Sequence, residues 1–133
     1  MATTNDDPLT LARAALPHAY APYSGFPVSA VVVSESGRAY VGVNVENAAY
    51  PLARCAEQIA VGAMVAAGER RLREVLVLST SPEPATPCGA CRQILYEFGD
   101  ADTVVVCRST QGSERRFTLG ELLPEAFRLR DER

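Results

Sequence analysis

Three cysteines and one glutamate, in two short stretches, are the residues of this sequence best suited to chemistry. Glu57 follows Cys55 by two positions, and Cys88 and Cys91 are three positions apart in the stretch Pro87-Cys88-Gly89-Ala90-Cys91. Three thiolates can bind one zinc ion, which prefers four tetrahedral nitrogen or sulfur ligands. Because three protein ligands leave one position open to water, the set is typical of a catalytic zinc site. Glu57 could then move protons without binding the metal.

The same cysteines allow two other interpretations. Cys107, at the end of a valine-rich run, could be the fourth ligand of a closed structural zinc site, although a free cysteine there is more often a small core residue. Cys88 and Cys91 could form a redox-active pair. The redox interpretation leaves Cys55 and Glu57 without a role. Considered without the cysteines, Glu57 could be an ordinary acidic residue in the first turn of a helix.

Composition and charge narrow the class of protein. The chain has 133 residues, of which 47% are hydrophobic and 22% are charged, and this length predicts a single domain over 1–133. A net charge of -3 argues against a nucleic acid partner, since such proteins are usually basic. No apolar run is long enough to span a membrane. The polar start of the chain lacks signal-peptide features, and four cysteines without an export signal indicate the cytoplasm.

The elements that must position these residues are visible in the apolar periodicity and the turn residues. Strands are predicted over 28–33, 38–45, 74–79, 103–107 and 115–117, the first two forming an antiparallel hairpin. Helices are predicted over 9–20, 55–67 and 89–98, with a capping box over 118–121 that opens a last helical turn. For the first helix, Asp7 and Pro8 are expected to form the start and Pro17 to stop or kink it early. This order predicts an α/β fold with three layers, α/β/α, around one mixed central sheet of about five strands.

Both cysteine stretches lie at predicted helix starts. A helix N-terminus favours the thiolate form of a cysteine, and Cys88 and Cys91 would share one side of the first turn because they are three residues apart. Adjacent parallel strand–helix units would bring the two helix starts together. Arg54 and Arg92 each adjoin a predicted ligand, so their positive charges could offset the charge of the thiolates.

The predicted helix over 55–67 is unusually apolar. After Glu57 it carries no charged residue, and a helix that is apolar all round is buried on all sides. One sheet can cover only one of its faces in a domain of this size. We therefore expect the other face to meet a second subunit, with Gly62, Ala63 and Ala66 allowing a close approach. The alternative is a central helix covered by its own chain.

Several stretches of the sequence, taken in order, resemble cytidine deaminase of the short, homotetrameric, three-cysteine zinc type. They are Tyr23-Ser24-Gly25-Phe26, Asn44-Val45-Glu46-Asn47-Ala48, Cys55-Ala56-Glu57 and Pro87-Cys88-Gly89-Ala90-Cys91-Arg92-Gln93, and the tail Leu122-Leu123-Pro124-Glu125-Ala126-Phe127 is similar as well. The matches span nearly the whole chain. An ordered set of this kind is far more specific than a single Cys-X-X-Cys motif.

For the metal centre, the resemblance implies that Cys55, Cys88 and Cys91 bind Zn2+. Glu57 would carry protons from a water molecule to the ring nitrogen and then to the leaving amine. Gln58 is a departure from the family, in which many members have arginine directly after the catalytic glutamate. This substitution raises the question of how the charge at the zinc is balanced, and we expect Gln58→Arg to change activity only modestly.

For the substrate, the resemblance implies a small-molecule nucleoside site. Phe26 would line the pocket, Asn44 and Glu46 would hold the ribose hydroxyls, and Ala56 would contribute to binding beside the metal. A carboxylate such as Glu46 suits a sugar hydroxyl, since it accepts a hydrogen bond that an analogue lacking the hydroxyl cannot make. Phe127 would pack on a base bound by a neighbouring subunit of a homotetramer.

The implied activity is hydrolytic deamination of cytidine, and of deoxycytidine, to uridine or deoxyuridine and ammonia. Two alternatives stay open: deamination of a modified cytosine nucleoside such as blasticidin S, and a non-catalytic, zinc-stabilised oligomeric module. Glu46 favours an ordinary nucleoside over the antibiotic, and the non-catalytic module has no need of Glu57. The sequence alone leaves open whether the reaction serves pyrimidine salvage or drug resistance, and whether the assembly is a tetramer or a dimer.

Overall fold

The computed structural model describes residues 7–129 and contains one mixed sheet of five strands. The strands are β1 (Val28–Ser34), β2 (Ala39–Val43), β3 (Leu72–Ser79), β4 (Val104–Ser109) and β5 (Glu114–Thr118). They are arranged in the order β2-β1-β3-β4-β5; β3 and β4 pair in parallel, and the other neighbours pair antiparallel. The five predicted strands are thus confirmed, with ends that differ by a few residues. Most of the acidic N-terminal stretch lies outside the described residues.

Helices cover both faces of this sheet. They are α1 (Pro8–Ala15), α2 (Ala56–Ala66), α3 (Gly89–Phe98) and α4 (Leu119–Leu122), with short 3-10 turns at Leu16–His18 and Tyr50–Leu52. Side chains from α2, α3 and α4 pack in one apolar cluster with one face of the sheet, and α1 packs on the opposite face. The predicted three-layer α/β/α fold is therefore confirmed. Among the described residues, no helix is both long enough and apolar enough to traverse a membrane.

The first helix is shorter than the predicted span of 9–20. It begins where expected, because the Asp7 carboxylate accepts a hydrogen bond from the backbone N–H of Thr10 at 3.2 Å and Pro8 occupies the first turn. It ends at Ala15, and a 3-10 turn containing Pro17 follows. The proline lacks an N–H for the helical ladder, so the regular helix stops before it.

The two helices that carry the cysteines begin at the same edge of the sheet. The sequence predicted adjacent parallel strands beneath them, and this detail is wrong: β1 lies between β2 and β3 and is antiparallel to both. The strands β2 and β3 therefore run in the same direction, and their carboxyl ends lie at one edge. The chain passes from β2 towards α2 and from β3 towards α3, so both helix starts lie at that edge.

A glycine sets the distance between α2 and the sheet. A Cβ atom built on Gly42 of β2 would lie 2.5 Å from the backbone nitrogen of Ala60 and closer still to the carbonyl oxygen of Ala56. Both atoms belong to the backbone of α2, which cannot rotate away as a side chain could. The helix therefore packs directly on the backbone of β2, and Cys55 and Glu57 at its start are held against the sheet.

Candidate active site

Three thiols meet where α2 and α3 begin. Cys55 is the N-cap residue of α2, Cys88 is the N-cap residue of α3, and Cys91 lies in the first turn of α3. Their sulfur atoms all lie within 4.8 Å of one another, with 3.4 Å between Cys88 and Cys91 and 3.9 Å between Cys55 and Cys88. Thiolates bound tetrahedrally to zinc lie about 3.8 Å apart, given a Zn–S bond of about 2.3 Å. This thiol cluster therefore fits a zinc ion.

The three thiols do not ionise equally easily. A hydrogen bond from the Cys91 thiol lowers the pKa of Cys55 to about 6. The same contact, together with burial, raises the pKa of Cys91. In the protein alone, the Cys91 proton is thus held by its hydrogen bond to the Cys55 sulfur, and a second thiolate is harder to form. A bound zinc ion removes this conflict, since it stabilises all three thiolates at once.

Cys107 lies outside the thiol cluster. It is buried on β4 and packs in the apolar cluster between the sheet and the helices, and burial raises the pKa of its thiol to about 11. Among the residues that the structure describes, the potential metal ligands at this site are the three clustered cysteines. The arrangement thus leaves the fourth zinc position to a ligand other than Cys107 and does not form a closed four-cysteine site.

Glu57 lies beside the thiol cluster without belonging to it. The residue is in the first turn of α2 and is only 4% exposed. Burial raises the pKa of its carboxyl group, and hydrogen bonds from its own backbone and from Cys91 act in the opposite direction. Its side chain lines the same cavity as the thiols. This carboxylate is therefore placed to exchange protons with a ligand in the cavity.

One cavity of about 260 Å³ brings together all but one of the site residues predicted from the sequence. Those that line it are Phe26, Asn44, Glu46, Cys55, Ala56, Glu57, Cys88 and Cys91. Phe127 does not line it; this side chain is 67% exposed, and its carbonyl accepts a hydrogen bond from the Gln93 side chain at 3.0 Å. We refer to this space as the site cavity.

The polar wall of the site cavity is held by hydrogen bonds within the chain. Asn44 joins two segments, because its Oδ1 accepts from the backbone N–H of Val28 and its Nδ2 donates to the carbonyl of Phe26, both at 2.9 Å. Glu46 accepts hydrogen bonds from Tyr23 and Ser24. The bond from the Ser24 hydroxyl is the main cause of a lowered pKa for the Glu46 carboxyl group.

Sequence reasoning missed several residues of this cavity. The additional lining residues are Ser24, Val28, Val77, Ala85 and Thr86. The two valines read as ordinary core residues, because their strands are apolar on both faces. The other three could have been predicted from the sequence. Ser24 lies inside one of the stretches that resemble the family, and Ala85 and Thr86 immediately precede another, which begins at Pro87.

The two arginines that adjoin the predicted ligands make hydrogen bonds to backbone carbonyls. The guanidinium of Arg92 donates to the carbonyls of Pro87 and Leu122 at 2.7 and 2.8 Å, so it ties the start of α3 to the C-terminal part of the chain. Arg54 donates to neighbouring backbone carbonyls, and the hydrogen bond from Cys91 and the charge of Arg54 both lower the pKa of Cys55. Gln58 is the side chain that reaches the cluster, with Nε2 donating to the Cys91 sulfur at 3.7 Å.

Comparison with known families decides where the chain belongs. The family profile described as the cytidine and deoxycytidylate deaminase zinc-binding region matches residues 3–107. The chain belongs to this deaminase family. A cytidine deaminase of Sporosarcina psychrophila is 40% identical over 113 residues, which cover 85% of this chain and 83% of that protein.

Solved structures of the family have the same fold. The crystal structure of cytidine deaminase from Burkholderia pseudomallei matches with a TM-score of 0.85 and 43% identity, covering 89% of this chain and 94% of that one. For the enzyme from Mycobacterium tuberculosis, the TM-score is 0.78 at 37% identity, with coverage of 92% and 95%. The predicted resemblance, the α/β fold, the class of deaminating hydrolase and zinc as the cofactor are thereby confirmed.

Proposed function

We propose that this deaminase converts cytidine and water to uridine and ammonia, and deoxycytidine to deoxyuridine in the same way. The proposal rests above all on one observation: Glu57, the thiol cluster and four of the five predicted nucleoside contacts, all except Phe127, line a single cavity. Relatives named cytidine deaminase, at 40% and 41% identity over 113 residues, support this choice of substrate.

In the proposed mechanism, Cys55, Cys88 and Cys91 hold the metal and Glu57 moves the protons. When bound, zinc supplies Lewis acidity that makes a water molecule nucleophilic near neutral pH. The Glu57 carboxylate takes a proton from that water as it adds to the amine-bearing ring carbon. It delivers that proton to the adjacent ring nitrogen. It then takes the second proton from the added hydroxyl and passes it to the amine, so that the C–N bond breaks, ammonia leaves and the ring carbonyl forms. Burial of Glu57 excludes bulk water from these transfers.

The remaining wall of the site cavity would orient the nucleoside. The Phe26 ring would line one side of the ligand, while the Asn44 amide and the Glu46 carboxylate would bind a sugar hydroxyl. Ala56 is the first residue of α2, where the backbone N–H has no partner within the helix and can donate to a ligand. These contacts would place the reacting carbon beside Glu57.

The function is tested by incubating the purified protein with cytidine, deoxycytidine, free cytosine and blasticidin S, and measuring ammonia together with the deaminated product. The proposal requires turnover of cytidine and deoxycytidine, with much slower release from free cytosine, which lacks the sugar. Turnover of blasticidin S alone would move the function to drug inactivation. No turnover of any compound by zinc-loaded protein would favour a non-catalytic module.

We infer that the enzyme works as a homotetramer, because α2 has an apolar side that its own chain leaves open. Ile59, Gly62 and Ala66 are exposed and Ala63 is half-buried, and the one charged residue of α2, Glu57, is buried on the other side. A second copy of the chain could pack closely on these small residues. The exposed Phe127 ring would then reach the site cavity of a neighbouring subunit.

A charge on this side of α2 tests the assembly. We expect Ala66→Arg to shift the protein from a tetramer to smaller species, because a buried, unpaired charge costs about 3–5 kcal/mol. Activity should fall with dissociation, since each site would lose its neighbour's Phe127. Size-exclusion chromatography with light scattering gives the mass, and Ala14→Arg on the exposed side of α1 is the matched control. A parent protein that is a stable monomer would contradict the proposal.

Zinc binding separates the roles of the cysteines. We expect the parent protein to carry one zinc per chain, Cys88→Ala to lose most of it, and Cys107→Ala to retain it. Cys88 contributes a ligand atom to the thiol cluster, whereas Cys107 is a core residue. Elemental analysis of dialysed protein gives the stoichiometry. Loss of zinc from Cys107→Ala in folded protein would instead indicate that Cys107 is a fourth ligand.

A location in the cytoplasm is also part of the proposal. All four cysteines are free thiols in the structure, and three of them are needed as metal ligands. A reducing compartment keeps such thiols available, whereas an oxidising one favours disulfides.

The net charge of -3 supports a small nucleoside over a nucleic acid as the substrate.

A further inference from the structure

The segment Tyr23–Ser24 occupies most of the hydrogen-bonding capacity of Glu46. Oε1 of Glu46 accepts from the backbone N–H groups of Tyr23 and Ser24 at 2.9 and 3.1 Å. Oε2 accepts from the Ser24 hydroxyl. A carboxylate has about four acceptor positions, so one position on Oε2 remains for a ligand in the site cavity.

The Ser24 hydroxyl also has a fixed direction. Its oxygen accepts a hydrogen bond from the backbone N–H of Phe26 at 3.0 Å. Because a hydroxyl carries a single proton, that proton is directed to Glu46. One side chain thus holds both the Glu46 carboxylate and the backbone of Phe26, and Ser24 itself lines the site cavity with these two residues.

The side chain of Asn44, next to Glu46 on the cavity wall, also has only part of its hydrogen-bonding capacity free. Its Oδ1 accepts from Val28 and its Nδ2 donates to Phe26. One amide hydrogen and one oxygen lone pair are left over. Glu46 therefore offers one acceptor and Asn44 one donor, and a single ligand hydroxyl can satisfy both by donating to Oε2 and accepting from Nδ2.

We propose that Ser24 is a positioning residue that leaves Glu46 one open acceptor and so makes the site select a nucleoside bearing one particular sugar hydroxyl. This inference rests on the proposed function, which supplies the nucleoside. The Ser24 hydroxyl also lowers the pKa of Glu46, which keeps the acceptor ionised. Loss of the hydroxyl would free the carboxylate to turn away from the cavity.

The test compares Ser24→Ala with the parent enzyme on cytidine and on 2′,3′-dideoxycytidine, which lacks both sugar ring hydroxyls. On cytidine we expect kcat/KM to fall about 10- to 100-fold, mostly through a higher KM, as for a lost hydrogen bond to a charged group. On the dideoxy analogue the value should change by less than about threefold, because that ligand makes no such bond. The discrimination between the two substrates should therefore shrink.

Further variants separate positioning from a general structural role. Ser24→Thr retains a hydroxyl and should restore most of the discrimination, whereas Ser36→Ala, in the β1–β2 turn, should leave it unchanged. In a Glu46→Ala background, Ser24→Ala should lower kcat/KM for cytidine by less than about threefold, because Ser24 acts through Glu46. Ser24→Cys replaces Ser24→Ala if the alanine variant does not fold. Zinc content and thermal unfolding are recorded for each variant.

The outcomes distinguish this inference from the proposed function. An active parent enzyme whose Ser24→Ala variant loses activity equally on both substrates overturns the inference and leaves the function intact. The same holds if Ser24→Ala remains costly in the Glu46→Ala background. A parent enzyme that deaminates neither nucleoside overturns the proposed function and this inference with it.

Discussion

Replacing Glu57 with glutamine is expected to lower kcat for cytidine by about 10³- to 10⁴-fold, the upper part of the range for a lost general acid–base. Glutamine preserves the shape and burial of the side chain but cannot accept and return a proton. The residue lies in the first turn of α2 beside the thiol cluster, without being one of the clustered ligands. Zinc content and the melting temperature should therefore stay close to those of the parent enzyme.

This experiment needs controls for charge and for metal. Glu35→Gln makes the same substitution at an exposed ion pair with Arg71, where the expected effect on stability is below about 1 kcal/mol and kcat should not change. Elemental analysis of the Glu57→Gln protein shows whether the zinc remains. A variant with bound zinc that retains a tenth or more of the parent activity would rule out Glu57 as the proton carrier.

Gly42→Ala is expected to cause the second large loss of activity, although Gly42 does not line the site cavity. The added methyl group would meet the backbone of α2 at Ala56 and Ala60, at 2.5 Å or less, and these atoms can yield only if the helix moves. Overpacking of this kind costs about 1–3 kcal/mol of stability. A shift of about 1 Å at the start of α2 would misplace Cys55 and Glu57 and could lower kcat about 100-fold.

The control for this variant separates lost stability from a displaced helix. Gly37→Ala in the β1–β2 turn also strains the chain, because Gly37 has a φ of +91°, but a methyl group there meets no atom within 4 Å. Gly37→Ala should lower the free energy of unfolding by about 1–2 kcal/mol and leave kcat and zinc content unchanged. Denaturant unfolding, kcat and zinc content are measured for both. If Gly42→Ala loses stability but keeps full kcat, the glycine contributes only to packing.

The local features of the site were predictable because each depends on neighbours in the sequence. The Asp7 and Thr118 caps, the glycine-containing turns and the β-branched runs specify where helices and strands begin and end. The spacing of Cys88 and Cys91 places both thiols on the first turn of one helix. The predicted span of the first helix was too long, but the helix ends shortly before Pro17, the residue expected to stop it.

The contacts between distant segments could not be predicted in this way. The position of β1 between β2 and β3 follows from how the apolar faces of the strands pack, and no short stretch records it. The contact from Gln58 to Cys91 joins two helices, and the hydrogen bonds from Arg92 join the start of α3 to the carbonyl of Leu122. Sequence patterns identify charged residues without showing which partner each one will find.

By itself, the sequence determined the family and the candidate ligand set, and it led to the proposal that Glu57 carries protons, because thiolate number, a nearby carboxylate and ordered motifs are properties of residue type and spacing. The tertiary structure alone decided how these parts meet. Close packing of α2 on Gly42 places Cys55 opposite the start of α3. The bond from Ser24 to Glu46 joins residues 22 positions apart. Such contacts depend on packing between segments that lie far apart in the chain, because each donor has many possible acceptors until the fold brings one of them within reach.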